Sequence, residues 1–394
     1  MFVSASLTQH LSGVFCYISM QHQKLYRAVA ILGLLVLIVV ILFYAKPFLV
    51  PLTFAAVLSM LLLPTTRWFQ ARGLHKGLAP VLSISLLVGF FAVVIAFFTW
   101  QMSDIAENAG KLETQVSKKY EQAKQFINEQ FKIPPKKQEQ MIKEQQKSSG
   151  GKMGTFVAGF LGGITGFLGN TLLVLVYIYL FIFFRGRLKG FVIRLVPEQE
   201  KSNALTVIDK SQQVSAKYLS GLFLMIVCLW IMYGIGFTIV GVENALFFAV
   251  ICGLLEIVPF VGNLTGTALT LAMSLVQGGG TEMIIGILVT YGLVQFLQTY
   301  ILEPLVVGAE VSINPLFTIV GLIAGEMLWG IPGMVLAIPL MGIAKIVFDH
   351  VEPLKPYGYL IGQDKEEGES GFKKKLKGWM SKLKNATSGS AMGK

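Results

Sequence analysis

Charged side chains are scarce in this chain. Only 14% of its 394 residues are Asp, Glu, Lys or Arg, against roughly a quarter in an average soluble domain. With 54% hydrophobic residues and a mean hydropathy of +0.65, a water-soluble fold would have more apolar surface than it can bury, so lipid must cover much of it. Cysteine is rarer still. Cys16, Cys228 and Cys252 are odd in number and far apart, and two lie in apolar runs. They read as small apolar fillers, not as a disulfide framework. The four histidines, His10, His22, His75 and His350, form no ligand cluster, so no structural metal is expected. Catalytic signatures are missing too. There is no HExxH and no GxSxG, and GGKM at 150–153 lacks the Ser/Thr and the strand of a phosphate loop. The expectation is a protein that is not an enzyme, holds no cofactor and does not itself hydrolyse ATP.

What the chain does have is a series of apolar runs. The first is Tyr26–Ala45, with Lys24 and Arg27 at its mouth. A turn at Lys46-Pro47 leads to Phe48–Leu63. The loop TRWFQARGLHKG carries Arg67, Arg72 and Lys76, and Leu78–Trp100 follows. Each run is near the ~20 residues that a bilayer requires. Ahead of them, residues 1–19 lack the basic flank of a signal peptide, and Met20 opens MQHQKLYRAVAILG. They are expected to be a dispensable extension or a start-codon artefact.

Residues 103–152 hold ten Lys and seven Asp/Glu. Sparse apolar positions at helical spacing (Leu112, Val116, Tyr120, Ala123, Ile127), then Pro134-Pro135, predict a water-exposed helical hairpin. Its mixed charge and few aromatics do not suit nucleic acid. Residues 154–184 are uncharged and carry Gly at 154, 159, 162, 163, 166 and 169, a face for close packing, a pore lining or a subunit contact. Arg185, Arg187, Lys189 and Arg194 end that run, residues 198–217 read as a surface helix, and Leu219–Val240 reads as the fifth span. In the tail, Phe372, Leu376, Trp379, Met380 and Leu383 line one helical face and six Lys fill the other, as suits an anionic leaflet.

Two segments are anomalous. Residues 244–277 carry one charge, Glu256, and as a single helix would be about 51 Å long, well beyond the ~30 Å hydrocarbon core. Pro259 and Gly262 interrupt them. Residues 313–348 repeat the pattern, with Glu326 and a break at Pro332 and Gly333. NALFFAVICGLLE (244–256) aligns without gaps on NPLFTIVGLIAGE (314–326), matching at five of 13 positions, Asn and Glu among them. Apolar composition does not readily place those two polar residues in register, so a common origin as repeats is expected. A clean span, Met283–Leu302, lies between them and carries Gln295 and Gln298 three residues apart.

The expected fold is all-α. It is a polytopic membrane protein with about eight hydrophobic segments, two of them broken helices or re-entrant hairpins, plus an external helical hairpin. Its parts are an N-terminal extension (1–23), spans one to three (24–101), the hairpin (102–153), a transmembrane core (154–350) and a tail (351–394). The positive-inside bias puts both termini in the cytoplasm and the hairpin outside. The charges do not decide between eight crossings and six with two re-entrant hairpins; the half-lengths favour hairpins slightly. A carboxylate at bilayer depth usually faces a cavity or a partner, and broken helices expose backbone groups that bind ions or polar solutes. Glu256 and Glu326 are therefore the leading candidates for transport or ion binding, Asn263 at the first break is a further candidate, and Gln295 and Gln298 either line the same cavity or bond between helices.

EIVPFVGNLTG (256–266), YILEPLVVGAEVSINPLF (300–317) and GEMLWGIPGMVLAIPL (325–340) resemble the autoinducer-2 exporter family of bacterial permeases, as does PFLVPLTFAAVLSMLLLPTTRWFQARGLHKGLA (47–79). The resemblance covers nearly all of residues 24–350. It implies a multispan transporter of the bacterial inner membrane that acts as a homo-oligomer, with pentamers among the forms expected. Some members are linked to autoinducer-2 export and others to sodium–proton exchange. The family usually has Pro after the Gly of the first break, where this chain has Asn263, and His-Pro where it has Asn314-Pro315. The leading functional expectation is export of a small polar solute coupled to protons or sodium. A sodium–proton antiporter and a passive channel or envelope scaffold are the alternatives.

Overall fold

The computed structural model describes residues 26–27, 29–107, 171–258, 261–307 and 313–363. Most of the external hairpin, the Gly-rich run, the basic tail helix, residues 1–19 and Pro259 lie outside the described residues. What is described is helical, and the only strand-type pairing in it is an isolated bridge between Ile313 and Gly362. The chain is an all-α polytopic membrane protein, with five described helices long and apolar enough to cross a bilayer.

Helices α1 (Val29–Tyr44) and α2 (Lys46–Ala71) are separated only by a turn at Ala45. α2 runs further than the apolar pattern predicts. Residues 66–71, expected as loop, are helical, and the connection shrinks to the residues from Arg72 to Gly77, with Gly73 at φ +92°. Tertiary bonding extends the helix: the Thr66 hydroxyl lies 2.9 Å from both the Leu62 carbonyl and the Ser83 hydroxyl of α3 (Leu78–Glu107). α4 (Thr171–Phe183) and α5 (Arg185–Leu195) meet at a 65° bend. There the sequence changes from uniformly apolar to RGRLKG, which suits a membrane surface.

The scaffold of the fold is α6 (Lys201–Val240). Its 40 residues form one rod of about 60 Å, twice the ~30 Å core. The surface helix over 198–217 and the span over 219–240 are therefore one helix, not two. No Gly or Pro separates them before Gly221, and one buried stripe runs through both: Ser211, Ser215, Tyr218, Met225, Leu229, Tyr233 and Phe237. Gly241, at φ +81°, ends it.

Each anomalous segment folds back on itself. In the first, α7 (Ala245–Leu255) and α8 (Val261–Val276) pack antiparallel, with Gly262 against Leu255 and Gly266 against Cys252. α7 is about 16 Å long, too short to cross. Trp230 fastens it to α6 by donating its indole N–H to the Val250 carbonyl at 3.1 Å. In the second, α10 (Pro315–Trp329) and α11 (Ile331–His350) turn at Gly330, φ +67°. The Trp329 indole donates to the Leu42 carbonyl at 3.0 Å, and Asn203 of α6 donates to the His350 carbonyl at 2.7 Å. Between the hairpins runs α9 (Thr281–Leu297), which widens into a π-helix over Gln298–Val307. The chain then ends its described course in α12 (Lys355–Ile361).

Candidate functional site

The tip of the first hairpin and the end of α9 bring four of the predicted polar residues together. Gln298 is 5% exposed and donates its amide N–H to Glu256 Oε1 at 2.6 Å. Glu256 Oε2 and Gln298 Oε1 are both buried with no hydrogen-bond partner among the described residues. Beside this pair, the Tyr233 hydroxyl donates to Asn263 Oδ1 at 2.7 Å. Asn263 Nδ2 donates to Gln295 Oε1, and Gln295 Nε2 reaches the Thr299 hydroxyl at 3.4 Å. Glu256 follows the end of α7 and Asn263 lies in the first turn of α8, while Gln295 and Gln298 sit one turn apart on α9 and its π-helical continuation. Two helical elements thus hold both halves of the cluster.

Neighbouring contacts fix its depth. α9 runs antiparallel to α6, with Gly286 against Val240 and Gly236 against Thr290. Further along, the π-helical continuation of α9 also packs against α6. Glu256 and Gln298 lie between these levels, within the apolar stretch of α6. The π-helical widening begins at Gln298. Pro304 lies within it and offers no N–H to the ladder, which loosens the winding where the polar groups must reach inward.

The glycines predicted as helix breaks have a narrower task. The second break itself is Gly330, with Pro332 in the first turn of α11. A Cβ on Gly262 would lie 1.7 Å from the Leu255 carbonyl oxygen, and one on Gly333 would lie 1.9 Å from the Gly325 carbonyl oxygen. Leu255 and Gly325 are the residues immediately before Glu256 and Glu326. Each glycine therefore lets the returning helix touch the backbone just ahead of its carboxylate, and the two hairpins share this contact as well as their sequence pattern.

Glu326 is not brought into the cluster. It is exposed on α10, a helix with only Leu322 buried. The paired asparagines also differ in use. Asn314 caps α10 by accepting from the Leu316 N–H at 2.9 Å, whereas Asn244 adopts a left-handed conformation (φ 56°) at the start of α7. A cavity of about 420 Å³ lies elsewhere, between α2, α5 and α6, where Lys189 and Asp209 pair at 2.9 Å. Among the described residues no three His, Cys, Asp or Glu side chains gather as metal ligands. Sequence reasoning did not single out Tyr233, one of 12 tyrosines with no local mark. It also missed the polar residues that follow Asn263 along α8, although their helical spacing was visible.

A family model described as AI-2E family transporter matches residues 31–352. Two bacterial proteins, each named "Putative transport protein", are similar over most of their length. YrrI of Bacillus subtilis is 23% identical over 315 residues, 77% of this chain and 87% of its own. YhhT of Escherichia coli K12 is 22% identical over 322 residues, 81% of this chain and 89% of its own. The family match runs from the start of α1 through the second hairpin, and so includes every residue of the cluster: the chain belongs to the AI-2E family of transporters.

Proposed function

We propose that this chain is a secondary transporter that exports a small polar solute of the autoinducer-2 kind across the bacterial inner membrane, and that Glu256 takes up the coupling proton or sodium ion. The observation that carries this reading is a half-buried carboxylate beside the apolar stretch of α6, with one oxygen held by Gln298 and the other, itself buried, without a partner among the described residues. A carboxylate at that depth is expensive unless it meets a partner, and the partner it lacks in this conformation is a cation or a proton. The amides of Asn263 and Gln295 and the hydroxyl of Tyr233 are suited to the hydroxyls and carbonyls of a small neutral solute. No catalytic role is assigned to any residue. The chain acts as a homo-oligomer in the bilayer, and both termini face the cytoplasm.

A second reading, sodium–proton exchange without an organic substrate, is favoured by one detail. The two unpartnered groups, Glu256 Oε2 and Gln298 Oε1, are both acceptors. Acceptors without donors on two residues that are hydrogen-bonded to each other suit a hard cation. Purified protein in liposomes, with sodium, proton and autoinducer-2 gradients imposed separately, tests both. Solute efflux that requires an ion gradient supports the first reading, and ion exchange that ignores the solute supports the second. Solute efflux without any gradient dependence would refute coupling at Glu256.

A further inference from the structure

Five polar residues follow one another along α8 at i, i+4, i+7, i+11 and i+14: Asn263, Thr267, Thr270, Ser274 and Gln277 just past its end. At about 100° per residue they fall within a stripe roughly 80° wide. The first four are at most 5% exposed. The other face of α8 carries Leu264, Leu269 and Leu275, all exposed, as a lipid-facing surface requires. Asn263 gives the stripe its direction, because its amide bonds to Tyr233 of α6 and Gln295 of α9. A helical Ser or Thr normally gives its proton to the carbonyl one turn back. Thr66, Thr206, Thr238 and Thr270 do so in this protein. Thr267 and Ser274 do not: their hydroxyls, and Gln277 Oε1, are buried without a hydrogen-bond partner among the described residues.

Unpartnered buried hydroxyls are where internal water binds, since each one left dry costs about 1–3 kcal/mol. The stripe starts beside Glu256 and ends about 21 Å away, next to the exposed Gly278 and Gly280. We infer that it is the route by which water, and with it protons, reaches Glu256 from the α8 C-terminal end of the molecule; this rests on the reading of Glu256 as the coupling group. The chemistry fits a proton better than a solute. The stripe supplies neutral hydroxyls and amides that both donate and accept. A proton added to the outermost water displaces one from each water in turn, and the innermost passes its proton to the Glu256 carboxylate, which becomes a neutral acid. No electrons move.

Two measurements separate this route from the role of Glu256. The first is labelling of Ser274→Cys, with Cys16, Cys228 and Cys252 replaced, by aminoethyl methanethiosulfonate, which needs a hydrated thiol. The second is proton-coupled flux of the Thr267→Val, Ser274→Ala double variant in liposomes, with its melting temperature. The expected result is that Ser274→Cys labels while Leu275→Cys, on the lipid face, does not. The double variant should lose coupled flux tenfold or more while its melting temperature stays near the parent value, because neither hydroxyl bonds another protein group among the described residues. Thr267→Ser, which keeps the hydroxyl, should retain flux. An unlabelled Ser274→Cys, or full flux in the double variant while Glu256→Gln is inactive, overturns the route and leaves the Glu256 reading standing. Labelling of Ser274→Cys with full flux in Glu256→Gln overturns that reading and keeps the hydrated stripe.

Discussion

Replacing Gly262 by alanine tests whether the hairpin contact sets the geometry of the cluster. The added Cβ would sit 1.7 Å from the Leu255 carbonyl oxygen and 2.2 Å from its carbon. Carbon–oxygen contacts in proteins lie at roughly 3.3 Å or beyond, so α7 and α8 must separate by about 1.6 Å. Both colliding partners are backbone, which leaves no rotamer change to absorb the strain. Overpacking of this kind costs about 1–3 kcal/mol. The same movement displaces the chain bearing Glu256, and its 2.6 Å bond to Gln298 would open towards or past hydrogen-bonding range. Gly262→Ala should therefore lower the melting temperature in detergent and cut coupled flux in liposomes together. Gly292→Ala is the control. It lies on α9 with nothing within 4 Å of the new methyl, and should gain up to ~1 kcal/mol of helix propensity. A Gly262→Ala protein that matches the parent in both assays, or a Gly292→Ala protein that is damaged as badly, refutes the reasoning.

Glu256→Gln keeps the size of the side chain and an acceptor for Gln298 but removes the charge, so coupled flux should fall at least tenfold with assembly intact in detergent; an assembly defect with normal flux per complex would mark Glu256 as structural. Glu326 lies outside the cluster, so Glu326→Gln should leave coupling near the parent value in the same assay, and a loss equal to that of Glu256→Gln would instead join the two carboxylates in one site. Gly333→Ala, whose Cβ would meet the Gly325 carbonyl oxygen at 1.9 Å, should lower the melting temperature as Gly262→Ala does. An impermeant thiol reagent on intact cells should tag Gln130→Cys and not Ser381→Cys; the reverse pattern would invert the topology.

The sequence showed most where lipid leaves few choices. Apolar runs near 20 residues located α1, α2, α3 and α9, because in a bilayer a run of that length has little option but to be a helix. It misjudged boundaries where bonding between helices extends an element beyond its apolar pattern. Thr66, paired with Ser83, keeps α2 helical past Leu63, and the buried Ser211, Ser215 and Tyr218 join two expected helices into α6. The site was legible in part for the same reason that it stands out in the structure. Glu256, Asn263, Gln295 and Gln298 are polar residues in apolar surroundings, so each was visible alone. That they meet depends on the fold-back at Glu256 and on the register of α9 against α6, which no local pattern specifies. Glu256 and Glu326 occupy equal places in similar segments, yet only the first is covered by a neighbouring helix. That difference comes from tertiary packing.

The energetic position of Glu256 argues against a purely structural role. As a tether for Gln298 it is a poor choice. Glutamine would accept the same hydrogen bond without a charge, and a charge in this setting has to be neutralised, paired or hydrated. One carboxylate oxygen is left open, and a buried acceptor without a donor costs about 1–3 kcal/mol. Gln298 leaves its own carbonyl oxygen open beside it. With no protein donor among the described residues, these two acceptors must be met by water, a proton or a cation, which a neutral or apolar substitute would not require. The one property glutamate has there that glutamine lacks is the ability to exchange a proton or hold a cation. Any ligand that supplies positive charge or a proton to those oxygens stabilises the pair by at least the penalty it removes. At 1.4 kcal/mol per tenfold in binding, relief of about 1–3 kcal/mol corresponds to roughly five- to 150-fold in affinity. On the proposed reading of Glu256 as the coupling group, that is enough for a bound proton or cation to shift an equilibrium between conformations that differ in their affinity for it.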